Sequence, residues 1–272
     1  MRLLGLLGAL LVAPWPALAQ QRVVVAGSAL CETVAALGQA ARIVGRDATC
    51  THPEALTALP DVGYLRALSP EGVLALDPDL ILADVDAGPP ETMALVEASA
   101  VPVVRVAATY SEDGVIARIE TVARALDVDG GSLVASVRAG FGQLAEARST
   151  AEPVRALFIL SAAGGRIMAA GQSTAADGIL TLAGARNAIT GFDGYRQLTD
   201  ESLIAAAPAV IVMMDRSGDH ALSNDAIAAH PALGLTPAAQ AGRIVRMDGG
   251  FLLGFGPRTP QAAQALMDAL RG

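Results

Sequence analysis

The side chains with the clearest chemical potential lie in LPDVGYLRALSPEGVLALDPDLILAD, Leu59 to Asp84. The chain has only three Tyr in a sequence that is 3% aromatic, and Tyr64 stands here, after Gly63 and two positions before Arg66. A phenol in this place can pack its ring and hydrogen-bond its hydroxyl. It can also bind a metal as phenolate. A phenol with a reference pKa near ~10 is a poor ligand until deprotonated, but a neighbouring guanidinium favours the charged form. Phenolate is a hard anionic oxygen suited to ferric iron, and Tyr is one of the side chains that ligate haem iron. Arg is also the side chain that best matches carboxylates. At the level of residue types, packed phenol and iron ligand both remain open.

Other chemistries find less support. His52, His220 and His230 show no H-x-x-H or H-E-x-x-H spacing, and two Cys alone cannot form a structural zinc site. The chain contains no Lys, which excludes a P-loop; it also lacks G-x-G-x-x-G and G-x-S-x-G patterns. No pair of carboxylates is singled out by spacing as an acid/base couple. A net charge of -8 argues against nucleic-acid binding. Nothing here marks an enzyme.

Residues 1–19, MRLLGLLGALLVAPWPALA, read as a secretory signal: Arg2, an apolar run from Leu3 to Ala13, and a small-x-small site at Ala17-Leu18-Ala19. The mature chain is then Gln20 to Gly272, with a periplasmic location expected. Cys31 and Cys50 can form a disulfide in an exported protein or remain two buried thiols.

The elements that must position Tyr64 alternate between short apolar runs and amphipathic segments. Arg22 to Gly27, Arg42 to Gly45, Leu80 to Ala83 and Val103 to Val106 read as strands. Ser28 is read as the cap of a helix to Leu37; Pro90 to Ala98 and Ser111 to Leu126 read as further helices. SLVASVRAGFGQLAEAR, Ser132 to Arg148, is helical in period with no strand before it. A second series follows, with strands at Val154 to Leu160, Ile167 to Ala170, Val210 to Met214 and Ile244 to Met247. Helices are read at Thr174 to Leu182 and from Thr259-Pro260 onward. The pattern predicts an α/β fold of two Rossmann-like lobes, 20–128 and 153–272, joined by one long helix within 129–152. Ligands of open α/β sheets bind beyond the carboxyl ends of the strands, here in a cleft between lobes.

An internal repeat supports two related lobes. Sliding the sequence so that Ser69 falls on Thr199 also brings Arg66 onto Arg196, Glu71 onto Glu201, Pro78 onto Pro208 and Ile81 onto Ile211. Each copy is an Arg, a capped short helix, a Pro turn and a buried strand. Ser69 and Thr199 are read as N-caps, with Glu71 and Glu201 in the first turn, where the helix dipole favours an anion. Tyr64 falls on Gly194, so the adjacent Tyr195 is not its register equivalent.

The G-Y-x-R-x-L-S-x-E-G block resembles that of the periplasmic haemin-binding proteins of bacterial ABC haem importers. AAGQSTAADGILTLAGARNA (Ala169 to Ala188), GFDGYRQLTDESLIAAAPAVIVM (Gly191 to Met213) and LLGFGPRTPQAAQAL (Leu252 to Leu266) extend the likeness over the mature chain. The resemblance implies the two-lobed fold with a helical backbone and a ferric haem b as transported ligand. It implies Tyr64 as the axial iron ligand and Arg66 as support for the phenolate or a propionate. It implies Glu71 and Glu201 as the carboxylates that dock onto an inner-membrane ABC permease with its ATPase, one on each lobe. An outer-membrane receptor system is the implied source of haem. From the second lobe, Tyr195, Arg196 and Arg258 are the candidate haem contacts. Gln172 stands in the block where some relatives carry a His for a second haem, so one haem is expected. The rival readings are a cobalamin or ferric-siderophore binder of the same fold, and an exported enzyme.

Overall fold

The computed structural model describes residues 21–148, 152–215 and 222–272. The signal segment and His220 lie outside the described residues. The first lobe contains strands β1 (Val23–Ala26), β2 (Ile43–Arg46), β3 (Gly63–Tyr64), β4 (Ala67–Leu68), β5 (Leu80–Asp84) and β6 (Val103–Val106). Its helices are α1 (Ser28–Ala36), α2 (Pro70–Leu74), α3 (Pro90–Glu97) and α4 (Glu112–Ala125). The main sheet has the order β2-β1-β5-β6, and every pairing is parallel. β1 and β5 are buried along their whole length because helices cover both faces. Alternation divides their side chains. Val23, Val25, Leu80 and Leu82 face the cluster with α1 and α4, and Val24, Ala26, Ile81 and Ala83 face the one with α2 and α3.

The connecting helix α5 (Gly131–Arg148) buries Val134, Val137, Phe141 and Leu144, one stripe at helical spacing. That stripe joins Val115, Ile116 and Ile119 of α4 in one cluster with second-lobe residues, so the apolar core continues through the lobe junction.

The second lobe contains β7 (Arg155–Ser161), β8 (Met168–Ala170), α6 (Ala175–Leu182), β9 (Arg186–Asn187), β10 (Tyr195–Gln197), α7 (Asp200–Ala206) and β11 (Val210–Met214). It ends with α8 (Asn224–Ala229), α9 (Pro237–Gln240), β12 (Ile244–Met247), α10 (Gly249–Leu253) and α11 (Thr259–Arg271). The sheet order is β10-β8-β7-β11-β12, with β9 beside β7. β7, β11 and β12 run parallel, whereas β8 and β10 form an antiparallel edge. Ile167 to Ala170 is read as a strand from the sequence, but its antiparallel pairing is not, because β10 is too short to show a period.

Local expectations meet three further outcomes. Ser28 is the first helical residue, and the N-cap is Gly27 at φ 135, a left-handed conformation suited to Gly. The repeat is realised: Gly72 N–H donates to Ser69 Oγ at 3.0 Å and Ser202 N–H to Thr199 Oγ1 at 3.2 Å. Each such cap contributes about 1 kcal/mol. Cys31 and Cys50 form a disulfide, tying α1 to the segment after β2.

Candidate functional site

Tyr64 sits on a tight antiparallel hairpin, paired with Ala67, rather than in an irregular loop. Gly63 makes the hairpin feasible. Its φ is +108, and a Cβ added there would stand 2.8 Å from the Ala67 carbonyl oxygen. Asp61 fixes the approach by accepting from Gly63 N–H at 2.8 Å. The ring that results is 49% exposed, unusual for a large side chain. Arg66 Nη1 donates to Tyr64 Oη at 3.1 Å, and Arg66 Nη2 pairs with Asp86 at 3.1 Å. The phenol oxygen is thus an acceptor from a cation, the polarity a phenolate ligand keeps. Burial is the largest influence on Arg66 and works against its charge. The Tyr64 hydroxyl and the Asp86 carboxylate outweigh it and leave the Arg66 pKa raised.

Tyr64 and Arg66 line a cavity of about 770 Å³ between the lobes. Its walls include Gly27 after β1, Asp84 at the end of β5, Leu160 of β7, Met214 of β11 and Asp248 after β12. The carboxyl ends of both sheets therefore converge on one space, the position expected for ligands of open α/β sheets. The volume lies within the range of small-molecule and cofactor pockets. Buried Asp47 braces the first-lobe wall, accepting from Gly27 N–H at 2.7 Å, Thr49 N–H at 2.9 Å and Thr49 Oγ1 at 2.7 Å. The disulfide holds Cys50 between Thr49 and Thr51, which both line the cavity.

The second-lobe candidates divide. Tyr195 lines the cavity from β10, and burial raises its pKa although the Ala176 backbone and the Thr174 side chain act as opposing hydrogen-bonding neighbours. Arg196, the next residue on the strand, projects to the other face and lies over the Phe192 ring at 5.1 Å. Arg258 is not among the cavity residues. Its Nε donates to Glu32 Oε2 at 3.0 Å, its Nη2 donates to Oε1, and it lies over Phe251 at 5.0 Å. The guanidinium expected to face a ligand instead ties the two lobes, because Glu32 of α1 is buried and requires a cation.

A second tie crosses the junction. Arg118 of α4, 3% exposed, bonds Asp84 at 3.3 Å and donates to the carbonyls of Gly254 at 3.0 Å and Phe255 at 3.2 Å. Burial lowers the Arg118 pKa and Asp84 opposes that shift. Sequence reasoning missed Arg118, whose helical context marks only an amphipathic face. It also missed Tyr110, which lines the cavity. The signal for Tyr110 was available: it is one of three Tyr and follows the carboxyl end of strand β6. Glu71 and Glu201 are exposed at corresponding helix starts. Ser69 Oγ donates to Glu71 at 3.3 Å, and the backbone N–H of Glu201 and the Thr199 hydroxyl lower the Glu201 pKa. His52 and His230 do not line the cavity; His230 Nδ1 accepts from Ala232 and Leu233 N–H.

A family described as periplasmic binding protein matches residues 23–249. The chain belongs to that family. Among solved structures, this binding protein is similar to the periplasmic heme-binding protein BhuT in complex with two hemes. The two are 44% identical, with a TM-score of 0.88 over 92% of this chain and 97% of that one. The periplasmic heme-binding protein RhuT from Roseiflexus sp. RS-1 is 36% identical, with a TM-score of 0.87 over 92% and 98%. HutB of Vibrio cholerae, also a periplasmic heme-binding protein, is 31% identical, with a TM-score of 0.83 over 93% and 100%. No curated protein is significantly similar to this chain.

Proposed function

We propose that the protein is a periplasmic haem carrier. It captures ferric haem b in the interlobe cavity and delivers it to an inner-membrane ABC permease with its ATPase. The observation that carries this reading is the Tyr64–Arg66 pair on the cavity wall, with the phenol oxygen accepting from the guanidinium. Phenolate supplies the iron ligand, and the guanidinium compensates its charge. Arg66 retains reach toward a propionate because its side chain is 57% exposed. Tyr195 faces the ligand from the second lobe, whereas Arg196 and Arg258 have other neighbours. Glu71 and Glu201 are the permease-docking carboxylates, with an outer-membrane receptor system as haem source. Residues 1–19 direct export and are removed after Ala19. The protein has no catalytic role in this scheme.

A haemin titration of the chain from Gln20 onward tests the reading. A Soret band that saturates at one equivalent, and is abolished or shifted in Tyr64→Phe, is the expected result. An unchanged spectrum in that variant refutes the ligand assignment. Saturation at two equivalents corresponds to the two-heme complex of BhuT, the 44%-identical relative. Binding of cobalamin or a ferric siderophore in preference to haemin refutes the ligand class.

A further inference from the structure

The three Tyr of this chain all line the one interlobe cavity. Their hydroxyls are in different states. Tyr64 Oη accepts from Arg66. Tyr195 has the Thr174 side chain and the Ala176 backbone as hydrogen-bonding neighbours. Tyr110, in the segment between β6 and α4, makes no hydrogen bond through its hydroxyl to any described residue. Its ring is nevertheless held firmly. Phe255 meets it edge-on, with centroids 5.1 Å apart and planes at 65°. α6 passes so close that a Cβ on Gly178 would stand 2.5 Å from the Tyr110 carbonyl oxygen and 2.7 Å from its Cβ. A phenol clamped by the opposite lobe, with its polar tip unused by the protein, is placed to serve the ligand.

We infer that Tyr110 is a ligand-contacting residue whose hydroxyl donates a hydrogen bond to a propionate oxygen of the bound haem. It is not an iron ligand. The inference rests on the haem-carrier reading and adds a second phenol with a different task. The surroundings separate the two tasks. Arg66 donates directly to Tyr64, whereas Tyr110 is favoured in its protonated, donor form by burial and by Asp86 and Asp84, against Arg118 and Arg66.

Tyr110→Phe keeps the ring and its contact with Phe255 and removes only the donor. Haemin affinity is expected to fall about 3- to 10-fold, the net worth of one hydrogen bond. The iron-ligand absorbance and the melting temperature of the ligand-free protein should stay as in wild type. Repeating the titration with haemin dimethyl ester checks the acceptor. The penalty should shrink, because an ester oxygen accepts more weakly than a carboxylate, and a penalty of unchanged size overturns the propionate assignment. Unchanged haemin affinity in Tyr110→Phe overturns the inference, as does an altered iron spectrum like that of Tyr64→Phe. Failure of the wild-type protein to bind haemin is a separate result and removes the haem-carrier reading itself.

Discussion

Replacing Arg118 by Met tests whether the lobes are held by a buried charge rather than by apolar contact alone. Arg118 is 3% exposed and Asp84 13% at the side chain, so both charges are largely withdrawn from water. The substitution leaves Asp84 with Asp86 N–H at 3.0 Å as its remaining hydrogen bond. It also removes the donor that serves the Gly254 and Phe255 carbonyls. Breaking one partner of a buried pair costs about 3–5 kcal/mol. For a chain of this size that corresponds to a melting temperature lower by roughly 6–20 °C. The assay is thermal and urea unfolding of wild type, Arg118→Met, Asp84→Asn and the double variant. The double variant is expected to be less destabilised than the sum of the singles, because it contains no orphaned carboxylate. A loss below about 1 kcal/mol in Arg118→Met, or strict additivity in the cycle, refutes the reasoning.

Two further outcomes follow from the geometry. Gly63→Ala places a Cβ at left-handed φ and against the Ala67 carbonyl. It should cost about 1–3 kcal/mol and weaken haemin binding by displacing Tyr64, and equal affinity and stability in the variant would count against the hairpin as positioning device. In Tyr64→Phe, the two phenols of the chain from Gln20 onward, Tyr110 and Tyr195, both carry raised pKa values, with burial as the main cause. The native state then holds these protons more tightly than the unfolded one. Stability is full below the ordinary phenol pKa of ~10 and falls as pH rises through the native values. Titration of phenolate absorbance at or below ~10 in the folded variant would contradict this.

Several features of the first lobe could be read from local pattern. β1 is an uninterrupted apolar run and β5 is apolar up to Asp84, as buried parallel strands require, whereas the edge strand β6 admits Arg105. The capped helix starts at Ser69 and Thr199 were legible twice because the repeat shows the same device in both lobes. The antiparallel pairing of β8 with β10 was not, since a three-residue strand such as β10 carries no period to detect. Ser28 was misplaced as a cap because a Gly N-cap leaves no side-chain signal.

For the site, the sequence set Tyr64 and Arg66 two positions apart, and the β3–β4 hairpin brings the guanidinium to 3.1 Å from the phenol oxygen. The sequence also determined that Glu71 and Glu201 occupy equivalent starts in two lobes. Tertiary structure decided everything that depends on the lobes meeting. Glu32 and Arg258 are far apart in sequence yet form one ion pair across the junction. That pairing moved Arg258 from candidate ligand contact to structural tie. Tyr110 gained its meaning only when Phe255 and Gly178 fixed it beside the cavity. Local pattern encodes what neighbours in the chain can do together, but the use of a charge or a phenol at a domain junction depends on what the other domain places against it.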